Sequence, residues 1–127
     1  MDDQKRINIA VVGGGIAGLG FALALKRKGL DCDVYESVPE VKALGVGMTL
    51  LPHALRELAA LGVQDKLEAV GIENLESVFF NRYGQFIYSE PRGRHAGYPL
   101  PELGIHRGKL HRILFEEALA QLGPQHV

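Results

Sequence analysis

The run Gly13-Gly14-Gly15-Ile16-Ala17-Gly18 restricts the possible folds of this chain more than any other feature, because segments of opposite character flank it. Before it, Ile7 to Val12 is short, β-branched and nearly continuous in apolar residues, as in a parallel strand buried on both faces. After it, an apolar stretch from Ile16 to Leu25 ends in Lys26-Arg27-Lys28-Gly29. Cations suit the negative end of a helix dipole, and glycine is the usual stop signal. Cys32 to Tyr35 makes a second short strand that halts at Glu36. Strand, glycine turn, helix and strand within about 30 residues form a βαβ unit, whose crossover is almost always right-handed.

The six-residue run matches G-x-G-x-x-G, and each part has a physical task. Gly13 permits the sharp turn off the strand, Gly15 lets a pyrophosphate approach the backbone, and Gly18 lets helix and strand pack closely. Ile16 and Ala17 open the helix, where free N–H groups and the positive dipole end favour an anion. Glu36, 23 residues past Gly13, is placed to accept hydrogen bonds from adenosine ribose hydroxyls. The competing reading makes the glycines plain turn formers and Glu36 a solvated surface acid. The order strand, loop, helix, acid favours a dinucleotide. It does not separate FAD from NAD, since both present the same ADP half.

Downstream, Pro39 to Val46 reads as a loop, with Gly45 and Gly47 flanking Val46, and Met48 to Leu51 as a short extended piece. Pro52 suits a first helical turn, and Leu55, Leu58 and Ala59 give an apolar face to a helix that ends at Gly62. A second helix is expected from Gln64 to Val70. Leu75–Phe80 and Gln85–Ser89 flank Asn81-Arg82-Tyr83-Gly84, the pattern of a hairpin. Glu90 to Gly104 is rich in proline and glycine and reads as loop. A last helix runs from Gly108 to Leu122, with Leu110, Ile113, Leu114 and Ala118 on one side, and closes at Gly123-Pro124.

Arg107 stands with His106, Lys109, His111 and Arg112 at the start of that helix, where the macrodipole disfavours cations. Such misplacement is easier to understand if an anion sits there, although a solvated basic face explains it too.

Composition removes several other classes. A chain of 127 residues has room for one domain, and a net charge of -1 gives no field that would steer it to nucleic acid or an anionic membrane. One cysteine, Cys32, excludes an internal disulfide framework and fits a reducing cytoplasm. No apolar run approaches the ~20 residues of a membrane helix, and Met1 to Arg6 lacks the order of a signal peptide. His106 and His111 are five apart, a poor match to helical metal pairing, and no acid or cysteine cluster completes a metal site. Arg92-Gly93-Arg94-His95 reads as a solvated loop, and Tyr83 and Tyr88 as packing residues that could alternatively line a cavity. No catalytic triad or Cys–His pair is evident, as expected where a cofactor performs the chemistry.

From Ile7 to Glu36, with Ala22, Leu25 and Gly29 at spaced positions, the chain resembles the FAD fingerprint of glutathione-reductase-like flavoproteins. Gly45-Val46-Gly47-Met48-Thr49-Leu50-Leu51-Pro52-His53-Ala54 and Gly104-Ile105-His106-Arg107-Gly108-Lys109-Leu110 resemble segments of the class A, salicylate-hydroxylase-like FAD monooxygenases. His53 departs from that family, which more often has asparagine there.

The resemblance implies an α/β, Rossmann-like FAD-binding fold, incomplete, followed by the start of a substrate-domain sheet over residues 72–104. It also implies backbone contacts to FAD near Val46 and Gly47, a contact from Arg107, and hydroxylation of a small aromatic substrate with NAD(P)H and O2. The family's later Asp-Gly and Gly-Asp motifs would lie beyond Val127, so residues 1–127 are expected to be an N-terminal part whose unpaired sheet edges invite self-association. The alternatives are an inert nucleotide-binding module and a segment of an NAD-dependent dehydrogenase.

Overall fold

A computed structural model describes residues 7–40 and 45–127. The N-terminal Met1–Arg6 and the middle of the loop expected over Pro39–Val46 therefore lie outside the described residues. The chain clusters into two compact units, one formed by Met1–Lys42 with His111–Val127 and the other by Ala43–Leu110.

In the first unit, β1 (Ile9–Val12) pairs in parallel with β2 (Cys32–Tyr35), with Ile9 opposite Cys32 and Val11 opposite Val34. Helix α1 (Ile16–Arg27) connects them and buries Leu19, Ala22 and Leu23, the spacing of one helical face. Its end is a complete Schellman motif: Gly29 N–H donates to the Lys26 carbonyl and Leu30 N–H to the Leu25 carbonyl, each at 3.0 Å. The three cations and glycine thus stop the helix as the sequence implies.

The expectation of a strand buried on both faces fails. Val11, Cys32 and Val34 are buried, whereas Val12 is 87% exposed and Tyr35 58%. Among the described residues this sheet has only two strands, and alternate side chains on them face opposite sides. Cys32 fills core volume; burial and the neighbouring Asp33 and Asp31 carboxylates push its thiol up from the ordinary value.

The second unit holds α2 (Pro52–Ala60) and α3 (Gln64–Val70), in agreement with the sequence, and proline occupies the first turn of α2. Its three-stranded antiparallel sheet has the order β3 (Gly47–Leu50), β7 (Leu103–His106), β4 (Ile72–Glu73). Reading Glu90–Gly104 as loop is therefore wrong at both ends. The hairpin strand β6 (Phe86–Pro91) reaches Pro91, Gly93–Ala96 form a 3-10 turn, and β7 begins at Leu103 as the central strand. Leu103 and Ile105 point inward and provide core with Leu50, Leu55, Val63 and Leu67. That burial outweighs the low strand preference of the intervening Gly104.

The hairpin itself, β5 (Glu76–Phe80) with β6, forms a separate two-stranded sheet. Asn81 organises its turn by accepting the N–H groups of Tyr83 and Gln85 at 2.9 and 3.0 Å. Phe79 stacks on Tyr88 with ring centroids 4.7 Å apart, yet Val78, Phe79, Phe80, Phe86, Ile87 and Tyr88 are all at least 40% exposed.

Helix α4 (Arg107–Leu122) is followed by a 3-10 turn at Pro124–His126; Leu110, Leu114, Ala118 and Leu122 of the helix are buried.

Candidate functional site

The glycine loop forms the strand-to-helix junction of the first unit. Gly13 has φ +106°, a conformation side chains rarely adopt, and its N–H donates to the Tyr35 carbonyl at 2.7 Å. This bond ties the loop to the end of β2. A Cβ on Gly18 would lie 1.9 Å from the Gly13 carbonyl oxygen and 3.4 Å from a Val11 methyl, so helix and loop meet at a separation only glycine allows. A Cβ on Gly15 would meet no atom within 4 Å. Space is therefore open above the loop at that residue, whereas it is closed at Gly18.

Helix α1 starts at this loop with no side-chain cap and no acid in its first turn. The N–H groups of Gly15, Ile16, Ala17 and Gly18 have no partner within the helix, since the first intrahelical bond runs from Leu19 to Gly15. Four donors and a positive dipole end thus lie at one junction. Open room at Gly15 and the absence of an acid from the first turn fit a diphosphate.

Glu36 turns toward the loop. Its Oε2 accepts the Gly14 N–H at 2.8 Å, and its Oε1 accepts the Val38 N–H at 2.9 Å and the Ser37 hydroxyl at 3.2 Å. The Val38 and Gly14 amides favour the ionised form and hold the carboxyl below its ordinary value, against a smaller opposing effect of desolvation. A carboxylate offers about four lone-pair positions, so acceptor capacity remains for a hydroxyl.

The sign of the pH dependence follows from that lowered value. The Glu36 bonds contribute fully above the unfolded carboxyl value and are lost as pH falls through the lower folded one. Titration of the Gly14 amide resonance is expected to show no break at the ordinary carboxylate value of 4.5, and a transition below it. A transition at or above that value would contradict the two amide bonds.

The second group of expected residues lies in the second unit. Arg107 N–H donates to the Val46 carbonyl at 3.1 Å, and Gly47 pairs with His106 across β3 and β7. A Cβ on Gly45, whose φ is +133°, would come within 3.3 to 3.7 Å of the aliphatic part of Arg107. Val46, Gly47 and Arg107 are thus brought together, and all are exposed.

The basic cluster divides. His106 Nδ1 accepts the Gly108 N–H at 3.1 Å, capping α4. His111, in the first unit, has Nε2 2.6 Å from the Gly14 carbonyl oxygen. Sequence reasoning missed both roles, since histidine is not among the residues that signal a helix start.

Arg94 and His95 are exposed, as a solvated stretch implies, yet both arginines are paired. Arg92 pairs with Glu90 and donates to the Ser77 hydroxyl at 2.8 Å, while Arg94 bridges Glu68 at 3.1 Å and Glu73 at 3.4 Å. Tyr83 is 71% exposed, with Arg82 over its ring, and Tyr88 is engaged by Phe79. A separate groove of about 510 Å³ in this unit is lined by His53, Arg56, Arg92, Tyr98, Glu90 and Glu102 with apolar neighbours. Among the described residues no group of three or more His, Cys, Asp or Glu could hold a metal, and no helix is long and apolar enough to cross a membrane.

Residues 11–41 match the NAD(P)-binding Rossmann-like domain family. The chain is 38% identical over 124 residues to phenazine 1,6-dicarboxylic acid hydroxylase PhzS of Lysobacter antibioticus, covering 97% of this chain and 30% of that protein. The tetrameric form of 2-methyl-3-hydroxypyridine-5-carboxylic acid oxygenase superposes with a TM-score of 0.78 at 30% identity, over 92% of this chain and 30% of that one. HpxO of Klebsiella pneumoniae, solved with FAD, gives 0.74 at 28% identity over 87% of this chain and 28% of that one. The chain therefore spans about 30% of the length of the relatives it matches. Over the residues it spans, the chain is similar in sequence and in fold to about 30% of the length of these flavin-dependent hydroxylases and oxygenases.

Proposed function

We propose that this chain binds the ADP half of FAD at the glycine loop, as part of a monooxygenase that hydroxylates a small aromatic substrate with NAD(P)H and O2. The observation that carries the reading is the junction at Gly13–Gly18: an uncapped helix start, an open face at Gly15, and Glu36 fastened beside it. Gly15, Ile16, Ala17 and Gly18 present N–H groups to the pyrophosphate, and Glu36 accepts from the ribose. For Val46, Gly47 and Arg107, contact with FAD rests on the family resemblance of their sequence segments.

When bound, FAD supplies the redox chemistry; the residues described here bind and orient it, and none acts as a catalytic acid or base. The two relatives quoted first act on aromatic carboxylic acids, which supports an aromatic substrate. The hairpin β5–β6 begins the substrate-domain sheet in this reading, and its exposed aromatics offer a surface for self-association. A single buried thiol supports a cytoplasmic setting.

The family description at residues 11–41 names NAD(P), so the rival ligand is a nicotinamide dinucleotide. Purified chain is expected to carry flavin absorbance that is released on denaturation, or to gain thermal stability on adding FAD. Stabilisation by NAD and not by FAD would replace the monooxygenase reading with a dehydrogenase one. No response to either would leave an inert module.

A further inference from the structure

We infer that His111 is a positioning residue that sets the orientation of the Gly14–Gly15 peptide and thereby aims the Gly15 N–H into the dinucleotide site. The Gly14 carbonyl can only accept, so Nε2 of His111, 2.6 Å away, carries the hydrogen and donates it. The described chain has no cis peptide bond, and in a planar trans peptide the carbonyl and the following N–H point in opposite directions. Holding the Gly14 oxygen toward His111 therefore turns the Gly15 N–H the other way.

The residue before this peptide is fixed as well. Gly14 N–H is held by Glu36 at 2.8 Å, and Gly13 N–H by the Tyr35 carbonyl at 2.7 Å. Three consecutive glycines have no side chains to restrain their peptide planes, and free rotation there would cost binding free energy when a ligand orders them. Glu36 and His111 remove that freedom from the two sides of Gly14. His111 acts through its donor hydrogen, and its charge is not required.

The role toward a ligand rests on the FAD reading above, whereas the anchoring of the peptide does not. The test compares wild-type chain with His111→Met, which has no donor, and His111→Gln, which restores one. In the ligand-free protein, the carbonyl carbon resonance of Gly14 and the amide nitrogen resonance of Gly15 are expected to move in the Met variant and to stay in the Gln variant. FAD affinity is expected to fall about tenfold with Met and to stay within about threefold of wild type with Gln.

Unmoved resonances in the Met variant, or a Gln variant as weak as Met, would overturn the assignment. Should Met prevent folding, the Gln variant decides alone: wild-type resonances support the anchor and displaced ones refute it. Wild-type chain that fails to bind FAD would remove the ligand role and the FAD reading together, while the same resonances still judge the anchor.

Discussion

Gly15→Thr is expected to weaken FAD binding roughly 100-fold while leaving the stability of the free protein within about 0.5 kcal/mol of wild type. The fold accepts the side chain, because a Cβ at Gly15 meets nothing within 4 Å and the backbone there is extended, with φ −77° and ψ −178°. Threonine is about as good an N-cap as glycine, so the helix start is not weakened. The ligand loses on two counts. The added atoms stand where the pyrophosphate must come, and the new hydroxyl occupies N–H groups that the phosphate would use. Losing about two charge-assisted hydrogen bonds amounts to roughly 3 kcal/mol, or two powers of ten. Flavin fluorescence titration gives the affinity, and thermal unfolding without ligand gives the stability. Unchanged affinity would place the pyrophosphate elsewhere.

A second pair of substitutions separates close packing from helix preference. Gly18 and Gly20 lie two residues apart in α1, and alanine is favoured over glycine in a helix interior by about 1 kcal/mol. At Gly20 a Cβ has open space, so Gly20→Ala is expected to stabilise the protein by about 0.5 to 1 kcal/mol. At Gly18 the same atom would sit 1.9 Å from the Gly13 carbonyl oxygen, which is backbone and cannot rotate aside. Overpacking of this kind costs about 1–3 kcal/mol or more and exceeds the propensity gain, giving a net loss of about 2 kcal/mol for Gly18→Ala. Denaturant unfolding of the two variants reads the signs directly. Equal stabilisation by both would mean that helix and loop do not approach as described.

The elements legible from sequence are those whose signals are local. Glycine and cations close α1, proline opens α2, Asn81 and Gly84 make the hairpin turn, and Gly123-Pro124 ends α4; each boundary depends on residues within a turn of it. The strands β4 and β7 were not legible. β4 is two residues long, and β7 carries Gly104 behind a proline-rich approach. What makes them strands is pairing with β3, more than 50 residues earlier than β7, and the burial of Leu103 and Ile105 that this pairing brings. The alternation across Gly104 was the one local hint.

The candidate site divides in the same way. The glycine loop and Glu36 belong to one βαβ unit, where motif spacing maps directly onto space. His111 reaches Gly14 across 97 residues, and no periodicity in the sequence encodes that contact. His106, Arg92 and Arg94 likewise read as free cations until their partners Gly108, Glu90, Glu68 and Glu73 are seen. Charge counted along a chain does not reveal which charges are already engaged.

The most direct test follows the amide resonances of the ligand-free chain as FAD is added, with FMN, which lacks the adenosine and one of the two phosphates, as the control. The account predicts saturable shifts at Gly15, Ile16 and Ala17 and beside Glu36 with FAD, and none there with FMN. Saturable FAD binding that leaves those amides unmoved, or equal shifts with FMN, would contradict it.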